Sequence, residues 1–177
     1  MTMPANPLAV RISTPVEATV LGRGFYQLEE GALYVPVDVA ARSRHYFSSL
    51  ESERVRLDID RDGKLMFIEV AAARSTWIVT DDIDQPVWAE PGDVRFLGFR
   101  TTIPDPQIFT DRSRLRLLLR FSLAPVARYI SVADSVIVSV DNHEALTSIL
   151  VTDIVDDLAG REISKFRQMP VATPCVI

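Results

Sequence analysis

The sequence predicts a mainly β fold (β-rich α+β): two related antiparallel β-units packed with pseudo-twofold symmetry, plus a short C-terminal helix. Three observations carry this. Apolar and polar residues alternate at period two in Arg54–Ile59 and again in Ser135–Val140, the pattern of half-buried strands. Eleven prolines and seven glycines punctuate the apolar runs at intervals suited to turns. The order apolar run, Arg/Tyr-bearing segment, alternating run, polar turn, apolar run also occurs twice.

Taken in chain order, Leu8–Ile12 and Val16–Leu21 are short apolar runs bounded by proline, and read as strands. Leu33–Val37 is a third. Val39–Leu50 fits either a helix capped by Asp38, with Val39, Tyr46 and Leu50 near one face, or a bent strand. In Val55–Asp60 the residues Val55, Leu57 and Ile59 share one face; the strand returns as Leu65–Val70 after a polar turn. Thr76–Thr80 and Val94–Phe99 are further strands on either side of the acidic, proline-bearing stretch Asp81–Gly92. That stretch is the best internal boundary, giving units 1–90 and 91–177 that share a core or an interface. In the second unit Arg114–Phe121, Val136–Val140 and Leu146–Val151 read as strands, and Gly160–Met169 as a short helix stopped by Pro170. Aligning the two units brings Asp60 onto Asp141, Leu65 onto Leu146 and Ile68 onto Ile149.

A net charge of -5 argues against a general nucleic-acid binder, because no basic excess exists to release counterions from phosphates. Arg112, Arg114, Arg116 and Arg120 stand at even spacing and would share one face of a strand, most simply a solvated one. Cys175 is the single cysteine, so no intrachain disulfide forms and a reducing, cytoplasmic setting is expected. It stands third from the end, one place too late for a prenylation box. No signal-peptide pattern opens the chain, and no apolar run approaches the roughly 18 residues that a membrane-spanning helix needs.

Asp58-Ile59-Asp60-Arg61-Asp62-Gly63, with Glu69 six residues past the glycine, fits the calcium-loop pattern D-x-D-x-D-G-x5-E. A helix should enter and leave such a loop, whereas Arg54–Ile59 alternates as a strand. The second unit keeps the strands and the turn but has Ser139 for Asp58, His143 for Asp62, Glu144 for Gly63 and Leu150 for Glu69. The reading is therefore a hairpin turn in which Gly63 accepts positive φ. A weak calcium site at Asp58, Asp60, Asp62 and Glu69 is the alternative.

Tyr26–Val35, Arg56–Leu65 and Ile68–Val70 resemble a family of short bacterial proteins, the domain-of-unknown-function family 2283. The resemblance covers residues 26–71, with a possible diverged copy at about 114–152, and departs at Gln27, Gly31 and Phe67. It implies a compact antiparallel β-unit with a tight hairpin and assigns no activity, cofactor or ligand.

Neither histidine, His45 or His143, has a second histidine or a cysteine at metal-ligand spacing. His143-Glu144 could pair for proton transfer, but adjacent turn residues seldom converge on one substrate. No Gly-rich phosphate loop or nucleophile elbow is present. The expectation is a non-catalytic protein-interaction or structural module without a cofactor, acting through self-association or an unidentified protein partner. The alternative is a small-ligand or hydrolytic site between the halves, near Trp77, Trp88 and nearby carboxylates.

Overall fold

A computed structural model of the protein describes residues 6–15, 22–37 and 48–167. Among these the chain is mostly strand, with one short α-helix. Strands β1 (Val10–Ser13), β2 (Phe25–Gln27), β3 (Ala32–Pro36), β4 (Ser48–Glu51), β5 (Val55–Ile59), β6 (Leu65–Val70), β7 (Ile78–Val79) and β8 (Glu90–Pro91) come first. They are followed by β9 (Asp93–Phe96), β10 (Thr101–Thr102), β11 (Gln107–Thr110), β12 (Leu117–Arg120), β13 (Arg128–Ala133), β14 (Val136–Val140), β15 (Leu146–Val151) and β16 (Val155–Asp156). Helix α1 is Arg161–Arg167.

These strands build two seven-stranded sheets and a two-stranded ribbon of β1 with β9. The first sheet runs β10-β4-β5-β6-β3-β2-β16; the second, read from its far edge, runs β8-β13-β14-β15-β12-β11-β7. In both, the five central strands are antiparallel and each edge is a two-residue strand parallel to its neighbour. The two sheets thus share one strand order and one sense of pairing. The likeness reaches single residues. Between β5 and β6 the pairing steps from Asp58–Phe67 to Ile59–Leu65, leaving Met66 as a bulge; between β14 and β15 it steps from Ser139–Ser148 to Val140–Leu146, leaving Thr147. The bulge carbonyls accept corresponding bonds, from Val37 N–H at 2.9 Å and from Phe121 N–H at 2.8 Å.

The edges are where the units interlock. β7 follows β6 in the chain yet pairs with β11 of the second sheet, while β16 follows β15 yet pairs with β2 of the first. The ribbon holds both hairpin tips: Phe96 N–H donates to Gly63 O (2.7 Å) and Val10 N–H to Glu144 O (2.9 Å). The inward rows of both sheets, including Val55, Leu57, Ile59 and Val136, Val138, Val140, belong to one contiguous buried core. Period-two alternation is the cause, because each strand turns every second side chain inward.

Several boundaries differ from the sequence expectation. Thr76–Thr80 is strand only at Ile78–Val79, because Arg74–Thr76 forms a 3₁₀ turn. The ribbon strand near Val94–Phe99 covers Asp93–Phe96, and the one near Leu8–Ile12 covers Val10–Ser13. Arg114–Phe121 shrinks to β12, since Asp111 Oδ1 accepts from Leu115 N–H (3.2 Å) and Arg116 N–H (3.4 Å) and holds that stretch as a turn. The arginine stripe is lost with it: Arg112 and Arg114 belong to the turn, and only Arg120 lies on the strand. The helix expected at Gly160–Met169 is α1, two residues of that range lying outside the described part. Val16–Leu21, most of Val39–Leu50 (with His45) and Cys175 also fall outside it, while Ser48–Glu51 is strand.

Candidate functional site

The calcium-like sequence forms a three-residue hairpin loop. Asp60 N–H donates to Lys64 O (3.1 Å) and Gly63 N–H to Asp60 O (3.0 Å), with Gly63 at φ +80°. Asp60 is buried, and its Oδ1 accepts from Asp62 N–H (2.8 Å) and Lys64 N–H (3.0 Å), so this carboxylate closes its own loop. Asp58 faces outward and receives Arg56 Nε at 2.7 Å. Burial raises its pKa above the ordinary 3.8, against the opposing pull of Arg56. Asp62 is largely exposed, 3.8 Å from Arg95. Glu69 lies on β6 opposite Tyr34 and Arg56. Among the described residues no three His, Cys, Asp or Glu side chains are placed to hold one metal ion. The four carboxylates of the pattern accordingly do not converge.

The second hairpin repeats the device. Asp141 Oδ1 accepts from His143 N–H (2.8 Å) and Ala145 N–H (3.0 Å), and Glu144 takes the left-handed position at φ +55°. His143 is exposed; Glu144 leans toward Arg128 at 3.6 Å. Other carboxylates are likewise spent on the fold. Asp105 accepts from Ser52 Oγ (2.8 Å), Arg54 N–H (3.0 Å) and Arg54 Nε (2.7 Å). Burial alone would raise its pKa, but these bonds outweigh it and hold the carboxyl below 3.8. Asp157, buried, accepts from Glu162 N–H (2.7 Å) and Ile163 N–H (3.0 Å) and so starts α1.

The two tryptophans part company. Trp77 is 3% exposed; its ring meets Tyr26 edge-on at 5.6 Å, its Nε1 donates to Ala72 O (3.0 Å), and Arg74 stacks over Tyr26 at 4.3 Å. It is a core residue where β16 and β7 change sheets. Trp88 is 69% exposed, just before the edge strand β8. They do not form one platform.

Sequence reasoning missed the outer face of the second sheet. There a cleft of about 330 Å³ has Leu118, Ile137, Ser139, Ser148 and Leu150 as its floor. Asp82–Pro86 supplies one wall and Ser122–Val126 the other. Thr147 also lines it: the bulge turns this residue and Ser148 toward the cleft together. Thr147 is 2% exposed and its Oγ1 has no hydrogen-bond partner. The rim is apolar and open, with Leu123 82% exposed and Val126 and Tyr129 each 39% exposed. Signals did exist in the sequence. Leu118, Ile137 and Leu150 interrupt the polar side of their strands, and on an outer face such residues mark a surface to be covered.

The corresponding face of the first sheet is covered. Tyr34 pairs across β3 and β6 with Glu69 as Leu118 pairs across β12 and β15 with Leu150, so Tyr34 and Phe67 match Leu118 and Ser148. Over Tyr34, Phe67 and Ala32 lies Ile163 of α1, 3% exposed, while Glu30 accepts the Tyr34 hydroxyl. No known protein family and no characterised protein matches this chain in sequence. The resemblance of residues 26–71 therefore rests on its own motif residues.

Proposed function

We propose that the protein is a non-catalytic interaction module, built from two diverged copies of one β-unit, that binds protein through the outer face of its second sheet. The observation that carries this is a cleft that no described residue covers, rimmed by exposed Leu123, Val126 and Tyr129, on a sheet whose counterpart has Ile163 of the chain's own helix packed on it. Contiguous exposed apolar surface beside a polar rim favours association, because covering it removes that surface from water. The shared strand order, matched bulges and matched Asp60 and Asp141 loops support the duplication, and with it a pseudo-twofold axis passing by the β1–β9 ribbon. Asp60, Asp105, Asp141 and Asp157 each hold a turn or a helix start, which favours binding over acid–base chemistry.

A second copy is one partner such a face admits. Unpaired sheet edges are the weaker route to self-association, since two-residue strands finish all four. Size measurement in native extract and on purified protein tests the proposal. The wild type is expected above single-chain mass in at least one setting, and Leu123→Glu with Val126→Glu returns it to single-chain mass. Single-chain behaviour of the wild type in extract and at millimolar concentration would refute it.

A further inference from the structure

Resting on that interaction reading, we infer that the cleft receives a short amphipathic helix of a partner protein, with one aliphatic anchor and a basic flank. The first sheet shows how this architecture covers an outer face. A helix crosses β3 and β6 and sinks one aliphatic side chain, Ile163, among Ala32, Tyr34 and Phe67. At the matched place on β12 and β15 the floor of Leu118, Ser148 and Leu150 has walls on both sides and, among the described residues, no helix over it. The space, about 330 Å³, holds an aliphatic anchor and its neighbours on one helical turn.

One further observation defines the occupant. Asp82 and Asp84 stand on one wall, both exposed, and among the described residues neither makes an ion pair. Arg120 on the floor is held by the neutral Gln107 amide (2.7 Å) and stacks over Phe109 at 4.6 Å, so it keeps its own charge; the lining carries two carboxylates against one guanidinium, and that excess negative charge favours a basic flank. An added strand is the poorer fit: β7 and β8 occupy the second sheet's two edges.

The test uses the full chain and a labelled synthetic peptide of residues 157–167. This segment has the required chemistry in Ile163 with Arg161, Lys165 and Arg167. Fluorescence anisotropy should show saturable binding. Ile163→Asp in the peptide, or Leu123→Glu in the protein, should each weaken it at least tenfold. Leu123 is largely exposed, so its replacement leaves the fold intact and keeps the result interpretable. Raising salt should weaken binding through Asp82 and Asp84. Amide shifts should move at Leu118, Ser148 and Leu150 and not at Ala32 or Tyr34. No binding, equal binding of the Ile163→Asp peptide, or shifts confined to the first sheet would overturn the helix assignment. If the larger assembly in extract persisted through such a result, the interaction reading would survive it; loss of both would remove both.

Discussion

At the scale of single residues, the aspartates that imitate a calcium loop act as local hydrogen-bond acceptors. Asp60 and Asp141 each close a three-residue loop, and the difference between the loops is the residue at the left-handed position, Gly63 or Glu144. A Cβ on Gly63 would lie 2.2 Å from Phe96 O, in a conformation that side chains already disfavour. Gly63→Ala should therefore destabilise the protein by about 2–3 kcal/mol in urea unfolding, combining clash and strain. Glu144→Gly should do the opposite and add a few tenths to about 1 kcal/mol, since strain is relieved and only an exposed ion pair is lost. Acid behaviour follows from two carboxyls with opposite shifts. Asp105 sits below 3.8 in the fold, so its stabilisation is present above pH 3.8 and disappears as pH falls through its lower folded value. Asp58 sits above 3.8, so the fold binds its proton more tightly and stability falls as pH rises from 3.8 to its raised value. Urea midpoints against pH should lose the first slope in Asp105→Asn and the second in Asp58→Asn.

At the scale of elements, the strands with clean alternation were legible. Val55–Ile59 and Leu65–Val70 of the first unit, and Val136–Val140 and Leu146–Val151 of the second, lie where the period-two pattern puts them. Both hairpins also align residue for residue, Asp60 with Asp141. Of the two-residue edge strands, Ile78–Val79 lies inside the expected strand Thr76–Thr80, whereas Val155–Asp156 was not legible, because it is defined by a neighbour from the other unit and carries no period of its own. The arginine stripe misled because spacing alone cannot reveal that Asp111 folds residues 111–116 into a turn. The cleft was harder still. It depends on which outer face receives α1, a helix that starts on the Asp157 carboxylate beside β2, where Asp157 N–H donates to Tyr26 O at 2.8 Å. Asp157→Ala should cost about 1–2 kcal/mol and loosen the helix, seen as faster proteolysis near Ile163 and lower helical ellipticity.

At the scale of the whole molecule, the crossing of β7 and β16 and the sharing of one core make the halves interdependent. Unfolding should be a single transition by fluorescence and circular dichroism alike, and a fragment ending at residue 90 should not fold alone, since its sheet would lack β10 and β16. Among the described residues one sheet carries α1 on its outer face and the other carries no helix there, and the proposed docking face rests on that difference. Site-specific photocrosslinking in cells tests that directly, with the crosslinker at Leu123 on the rim and, as a control, at exposed Arg61 on the first hairpin. A discrete adduct from position 123 and none from position 61 is the expected result. Equal adducts from both positions, or none from position 123, would contradict a dedicated docking face on the second sheet.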